Sequence, residues 1–396
     1  MKRIAIIGIG MSPDTLTLEA KRAVDEAQVL LGAARMVGYF GDSGKQLVPE
    51  YAPERVASAV QSSEEEQFAV LVSGDVGFYS AASGLCAALE EFEVRLIPGI
   101  SSAGYFFARM GRPWQDAAFV SCHGRQANFV DRVRRSGMTF ALTGGNIPEL
   151  MESLCEAGFG ELKVTVGENL GLPRERLVCG EAQELAQQSF ASLAVLAVEN
   201  PAPDARCPVG IRDDAFVRGE VPMTKSEIRA IIAGELDLKP NSICADLGAG
   251  TGSVTVEMAL SCWNGHVYAC DRNEEAVGLI RENCRNFHIG NVTVLHGDNL
   301  DALSQMPALD AAFIGGSGGE MRELVGLLRE KNPVVRIVIS AIAPESVADA
   351  IEAMNEAGLD PELRQISVAR GRKAGRLHLM MAQNPITIIS GGGYGG

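Results

Sequence analysis

Short Val- and Ile-rich runs alternate with amphipathic stretches along almost the whole chain. Lys2–Gly8, Phe68–Val72, Val94–Ile97 and Ala117–Cys122 read as strands, with helices near Leu16–Ala27, Ala81–Leu89 and Ser101–Arg109 between them. Strands separated by helices predict a parallel sheet. After Gly137, the runs Thr139–Leu142, Lys163–Gly167, Leu177–Cys179 and Leu193–Val198 surround one clear helix, Ile147–Ala157, which predicts a second, smaller α/β lobe. A cleft between two such lobes is a natural place for a ligand. Periodicity fades from Pro201-Ala202-Pro203-Asp204 to Pro222, as in a linker. Thr224, with Glu227 three residues on, then reads as a capping box that opens a helix.

From Ile243 the alternation returns. Strands at Ile243–Leu247, Val267–Cys270, Val292–Leu295, Ala311–Ile314 and Arg336–Ser340 are separated by helices at Val254–Leu260, Glu275–Phe287, Glu320–Arg329 and Glu345–Ala357. Leu363–Val368 and Leu377–Ala382 read as an antiparallel pair at the sheet edge. The pattern predicts a doubly wound sheet of the Rossmann type. The expected organisation is thus an α/β domain over 1–202, a linker over 203–222, a second α/β domain over 223–390 and a low-complexity, flexible tail over 391–396.

Composition narrows the partners. A hydrophobic share of 46% and a charged share of 21% describe globular material with a buried core. The net charge of −15 is spread over both halves, which argues against nucleic acid as the main partner, since phosphate binding needs clustered positive charge. Nine scattered cysteines without a C-x-x-C pair read as reduced thiols, and the five dispersed histidines make no metal-binding spacing, so no metal site is expected. Lys2-Arg3 before Ile4–Met11 faintly imitates a signal peptide, but the run ends in Ser12-Pro13-Asp14 and suits a buried first strand better. No apolar stretch approaches the ~20 residues of a membrane span. A soluble, cytoplasmic protein without a membrane partner is expected.

The second half carries Asp246-Leu247-Gly248-Ala249-Gly250-Thr251-Gly252-Ser253 between a strand and a helix. Glycines at 248, 250 and 252 let the chain turn sharply and let a ligand approach the backbone. Asp271 ends the next strand, where a ribose-binding carboxylate belongs. A glycine triple alone could serve NAD. Asp246 directly before the turn, Asp298 after the third strand and the absence of G-x-G-x-x-G favour S-adenosylmethionine. Together with Asp271-Arg272-Asn273, Gly315-Gly316-Ser317-Gly318-Gly319-Glu320, Ser340-Ala341-Ile342 and Ala369-Arg370-Gly371-Arg372, the motif resembles the decarboxylating carbon-15 methyltransferases of cobalamin synthesis, from about Pro222 to Pro385. The resemblance places Thr224, Gly315 and Gly316 with the cofactor and Ser317 with the substrate. Arg370, Arg372, Lys373 and Arg376 meet no acid between Val368 and Arg376, so they suit substrate carboxylates, with a solvated basic face as the alternative.

The first half uses a different grammar. Gly8-Ile9-Gly10, Ser73-Gly74-Asp75-Val76-Gly77-Phe78-Tyr79, Pro98-Gly99-Ile100-Ser101-Ser102, Ser121-Cys122-His123-Gly124-Arg125 and Leu142-Thr143-Gly144-Gly145-Asn146 resemble the tetrapyrrole methyltransferase family, most of all its carbon-5 members, over about Met1 to Asn200. Two motifs depart from the family's pattern, with Met11-Ser12 and Val76 where it has Pro-Gly and Pro. The expected donor contacts are Gly8, Gly10, Asp75, Gly77, Ser101, Ser102 and Thr143. The expected substrate contacts are His123 and Arg125. Ser101 and Ser102 also suit a helix N-cap, and the two roles coexist.

The fold implied by both resemblances is a two-lobed tetrapyrrole methyltransferase domain followed by a Rossmann-like class I methyltransferase domain, with one S-adenosylmethionine in each. The implied activity is methylation of carbons 5 and 15 of a precorrin-6-type or cobalt-precorrin macrocycle, with decarboxylation of the ring C acetate. The tetrapyrrole is the expected partner, and a homo-oligomer is expected. No protein nucleophile is required and no catalytic residue is assigned. Two other readings stand beside it: a class I methyltransferase acting on another substrate such as RNA, or one half serving as a non-catalytic tetrapyrrole-binding module.

Overall fold

The computed structural model describes residues 2–123 and 128–393, and the chain divides into two compact units. The first comprises 2–123, 137–148 and 163–199. The second comprises 128–136, 149–162 and 200–393.

The first unit opens with a five-stranded parallel sheet of β1 (Arg3–Gly8), β2 (Val29–Gly32), β3 (Gln46–Val48), β4 (Gln67–Val72) and β5 (Glu93–Ile97), in the order β3-β2-β4-β1-β5. Strand β1 is buried from Ile4 to Gly8, which explains why its sequence is a continuous apolar run rather than an alternation. Its C-terminal end lies beside those of β4 and β5, so the three glycine-bearing turns that follow leave one edge of the sheet together. A second sheet holds β6 (Ala118–Ser121), β7 (Met138–Leu142), β8 (Lys163–Glu168), β9 (Arg176–Glu181) and β10 (Ala194–Glu199), ordered β6-β7-β10-β8-β9. Only the β6–β7 pair is parallel. Ala118–Ser121 therefore starts the second sheet instead of ending the first. Phe119 enters a ring cluster with Phe78 and Phe140, and a short apolar run does not encode which sheet it will join.

The second unit is built on β11 (Ile243–Leu247), β12 (His266–Asp271), β13 (Val292–His296), β14 (Ala311–Ile314), β15 (Arg336–Ala341), β16 (Glu362–Ile366), β17 (Ala369–Ala374), β18 (Leu377–Ala382) and β19 (Ile386–Gly392). Seven of them form one sheet ordered β13-β12-β11-β14-β15-β19-β16, while β17 and β18 form a separate two-stranded arm. The expected edge pair is thus corrected: β16 pairs with β19, and β18 with β17. Burial decides it. Ile388, Ile389 and Ser390 are fully buried and give β19 the place beside β15, whereas β18 is exposed along its length. Gly391 and Gly392 accordingly belong to a strand and not to a tail; residues 394–396 lie outside the described residues.

The stretch read as a linker packs onto the second unit from Gly210 onward. The Gly210 and Ile211 amides donate to Glu257, Phe216 is buried, and the Val217 amide donates to Asn283. The Thr224 capping box does not form. The helix is Ser226–Leu236 with Lys225 at its N-cap, and the Asp213 carboxylate accepts from the Ser226 amide at 2.9 Å. Arg229, fully buried, explains the arrangement. It pairs with Asp213 at 3.1 Å and Glu257 at 2.9 Å, donates to the carbonyls of Thr224 and Ile211, and lies 4.7 Å from the Phe216 ring centroid. A buried guanidinium must be met on every side, so it fixes the strap that supplies its partners.

Candidate functional site

In the second unit the turn after β11 holds Gly248, Gly250 and Gly252 at φ of +75°, +57° and +74°, a region that favours glycine. Two of the three also permit close approach. A Cβ on Gly248 would lie 2.8 Å from the Gly316 nitrogen, and one on Gly250 would lie 2.8 Å from the Pro222 carbonyl oxygen. Asp271 accepts from the Gly250 amide at 2.8 Å through Oδ2 and from the Asn273 amide at 2.9 Å through Oδ1. Each oxygen keeps a lone pair, an arrangement suited to two neighbouring hydroxyls.

These elements enclose a cavity of about 360 Å³ at the C-terminal ends of the strands, where such sheets bind ligands. Of the expected residues, Thr224, Gly248, Gly250, Asp271, Asp298, Gly315, Gly316 and Ser317 line it. Pro222, Arg272, Asn299 and Phe313 line it too and were not anticipated. Arg272 and Asn299 directly follow assigned acids, which was the available signal. Pro222 reaches the cavity through the strap, for which the sequence holds no local sign.

Asp246 and Gly252 stand apart from the lining. Gly252 is a packing glycine, since a Cβ there would meet the Ile280 Cα at 3.0 Å. Asp246 is fully buried behind the turn. Its Oδ2 accepts from the Thr255 hydroxyl at 2.5 Å, and its Oδ1 has no hydrogen-bond partner. Burial pushes its carboxyl up to about 7, with the Thr255 bond opposing and Asp271 adding to the rise.

The basic segment also needs correction. Arg370 is not unopposed: it donates to Glu227 and Asp213, and the same Asp213 accepts from Arg229. Hydrogen bonding from Arg370 holds the Glu227 carboxyl down at about 2. The opposing acids lie far upstream in the chain, so a local scan could not see them. Arg372, Lys373 and Arg376 remain exposed on the β17–β18 arm.

In the first unit three turns converge. A Cβ on Gly99 would lie 2.2 Å from the Gly74 oxygen and 2.4 Å from the Gly8 oxygen, while Gly10 and Gly74 exchange backbone hydrogen bonds at 3.1 and 2.9 Å. Asp75 was expected to meet donor or substrate. Its carboxylate staples the turns, accepting from the Gly77 amide at 2.9 Å and the Gly99 amide at 3.0 Å. Ser101 caps the helix Ser102–Met110 through the Gly104 amide at 3.0 Å. Thr143 is buried and donates its hydroxyl to the Ala194 carbonyl at 2.8 Å. His123 is exposed, its ring beside Gly144. Arg125 lies outside the described residues. At the departing Met11-Ser12 motif, the Thr15 hydroxyl accepts from both amides at 2.8 and 3.0 Å and closes the turn.

Among the described residues no cluster of His, Cys, Asp or Glu is arranged to hold a metal ion, and no helix is long and apolar enough to cross a membrane.

Comparison with known proteins adds to this geometry. Residues 214–391 match the family described as Precorrin methyltransferase domain, and residues 3–186 match Tetrapyrrole (Corrin/Porphyrin) Methylases. A probable cobalt-precorrin-6B C(15)-methyltransferase (decarboxylating) from Pyrobaculum calidifontis is 40% identical over 184 residues, covering 46% of this chain and 94% of its own. A precorrin-6Y C(5,15)-methyltransferase [decarboxylating] from Sinorhizobium is 28% identical, covering 97% of this chain and 95% of its own. The crystal structure of a precorrin-6Y C5,15-methyltransferase from Geobacter metallireducens is 30% identical over 46% of this chain and 97% of that one, with a TM-score of 0.45.

Proposed function

The chain belongs to the precorrin methyltransferase family, and we propose on that premise that its two units methylate one macrocycle twice, each with its own S-adenosylmethionine. The reaction is methylation at carbons 5 and 15 of a precorrin-6-type or cobalt-precorrin ring, with loss of carbon dioxide from the ring C acetate. The observation that carries this reading is the Sinorhizobium relative, which aligns along both halves in one order. The relatives speak for the macrocycle and not for RNA. Calorimetric titration with S-adenosylmethionine should find two sites per chain, and one site would reduce one unit to a binding module.

The bound donor supplies the methyl group; the chain's own residues orient and enclose. Asp271 is the acceptor for ribose hydroxyls, Gly248 and Gly250 bring backbone against the donor, and Asp298 lines the same cavity one strand further on. In the first unit the convergent turns at Gly8, Gly10, Gly77 and Ser101-Ser102 take the donor. Alignment of an enamine-like ring carbon with the methyl group, in a site that excludes water, accounts for the acceleration. Ser317, Arg372, Lys373 and Arg376, with Arg272 at the cavity, face the substrate carboxylates in the second unit, and His123 and Arg125 do so in the first. The arm's Leu377, Met380 and Met381 are 69%, 67% and 49% exposed, a surface that a second copy of the chain would cover in a homo-oligomer. The enzyme works in the cytoplasm.

Asp271→Ala should weaken donor binding in the second unit roughly ten- to a hundredfold, the ~1.5–3 kcal/mol of hydrogen bonds to a charged group, and leave the first unit's site unchanged. Unaltered affinity in both units would remove the ribose assignment. The double change Arg372→Ala with Arg376→Ala should raise the Michaelis constant for the tetrapyrrole at constant donor affinity. Because both arginines are exposed, the effect should shrink as salt rises. A salt-independent loss of donor binding would instead make the arm part of the donor site.

A further inference from the structure

The β17–β18 arm has little to hold it. Its two strands pair only with each other, β18 is exposed along its length, and in β17 every residue but Arg370 is exposed. At its base the Gln383 amide donates to the Val368 carbonyl, and Val368 packs against the core. Beyond that point, among the described residues, Arg370 is the one side chain of the arm bonded to the rest of the unit.

The grip is double. Arg370 Nε donates to Glu227 Oε1 at 2.9 Å and a terminal nitrogen donates to Oε2, while both terminal nitrogens donate to Asp213 Oδ2 at 3.1 Å. Only a planar guanidinium can hold two carboxylates in this way. The two oxygens of Asp213 are divided. Oδ1 serves the body, accepting from Arg229 at 3.1 Å and from the Ser226 amide at 2.9 Å, and Oδ2 serves the arm. The strap that carries Asp213 continues to Val221, Pro222 and Thr224, which line the second unit's cavity. Arg370 thus ties the arm to the element that walls the cavity. Side chains two apart on a strand share a face, so Arg372 stands on the face that Arg370 turns toward the strap.

We infer that Arg370 is a positioning residue for the macrocycle: through Asp213 and Glu227 it fixes the arm, and with it Arg372, against the strap. The inference rests on the reading of Arg372, Lys373 and Arg376 as contacts of the substrate carboxylates. Arg370 itself, committed to two carboxylates of the protein, touches neither donor nor macrocycle. Its loss leaves the strap in place, because Arg229 and the Ser226 amide still hold Asp213 Oδ1. Water replaces it at Glu227, whose side chain is 40% exposed. The arm is then held only at its base, and substrate must order it on binding.

The test uses the full chain and compares wild type, Arg370→Ala, Glu227→Ala and the double variant. It reads carbon-15 methylation of the reduced tetrapyrrole at steady state, and calorimetric titration with S-adenosylhomocysteine. Arg370→Ala should raise KM for the tetrapyrrole about fivefold, the upper end for a half-exposed ion pair, with kcat and S-adenosylhomocysteine affinity unchanged. Glu227→Ala leaves the Asp213 half of the grip and should raise KM by a smaller factor. The double variant should match Arg370→Ala, since both changes cut one tie. A KM that rises in Arg370→Ala but falls or stays level in Glu227→Ala would make Arg370 itself the carboxylate contact and overturn the inference. So would a loss of S-adenosylhomocysteine affinity in Arg370→Ala, which would place the effect in the strap. An unchanged KM in both single variants, with KM raised by Arg372→Ala and Arg376→Ala together, overturns the inference alone. An unchanged KM in that pair as well overturns the arm's part in substrate binding and the inference with it.

Discussion

Gly248→Val abolishes donor binding in the second unit, and with it carbon-15 methylation, while carbon-5 methylation continues. Two costs add. The residue holds φ +75°, where a side chain costs roughly 1–2 kcal/mol, more for a β-branched one. The Cβ would also sit 2.8 Å from the Gly316 nitrogen and 2.9 Å from its oxygen. Those neighbours are backbone and cannot rotate aside, so the Gly315–Gly316 wall must separate from the turn. At 1.4 kcal/mol per tenfold, strain and displacement together predict a loss of roughly a hundredfold or more. Gly99→Ala is the counterpart in the first unit, because its Cβ would press on two carbonyl oxygens at 2.2 and 2.4 Å. It should silence carbon-5 methylation and spare carbon 15. Mass analysis of the products distinguishes the two variants. Equal loss of both methylations from either change would mean that the sites are not separate.

The second large effect belongs to Asp246. Its folded carboxyl titrates at about 7, raised chiefly by burial, against about 3.9 in an unfolded chain. A carboxyl raised in the folded state contributes stability that is fully present below the unfolded value and is lost as pH rises through the folded one. Between about pH 4 and about pH 7 the difference amounts to as much as about 4 kcal/mol at 1.36 kcal/mol per unit. The second unit should therefore unfold at lower denaturant concentration at pH 8.5 than at pH 5. In Asp246→Asn that slope should largely vanish, whatever the absolute stability of the variant. An unchanged slope would show that Asp246 is already ionised in the folded protein, with a partner for Oδ1.

Much of this was legible in the sequence because it is local. Asp246 to Ser253 announce a strand, a turn and a helix within one short segment, and the left-handed turn glycines stand where the pattern required them. The strand and helix periods of the second unit were likewise readable as far as Glu345–Ala357, apart from the short helix Asn299–Gln305, where few apolar positions mark a period; beyond it, strands β17 and β19 were not read and the edge pairing was misassigned. What was not legible is long-range. Arg370 looked free because Asp213 and Glu227 lie more than 140 residues away in sequence. The strap looked like a linker because its one strong anchor, Arg229, is itself hidden in a helix. The part Asp75 plays in joining two turns was hidden because nothing local says that the Gly99 amide comes to meet it. In each case the partner is distant in sequence, and only the folded chain brings the two groups together.

The central claim is that two donor sites on one chain act on one macrocycle. The most direct measurement incubates the protein with the reduced tetrapyrrole and S-adenosylmethionine labelled in its methyl group, then reads the product mass. The account predicts a single product that has gained two labelled methyl groups and lost one carbon dioxide, with one label remaining in Gly248→Val and one in Gly99→Ala. A wild-type product carrying only one labelled methyl group, or retaining every carboxylate, would contradict it.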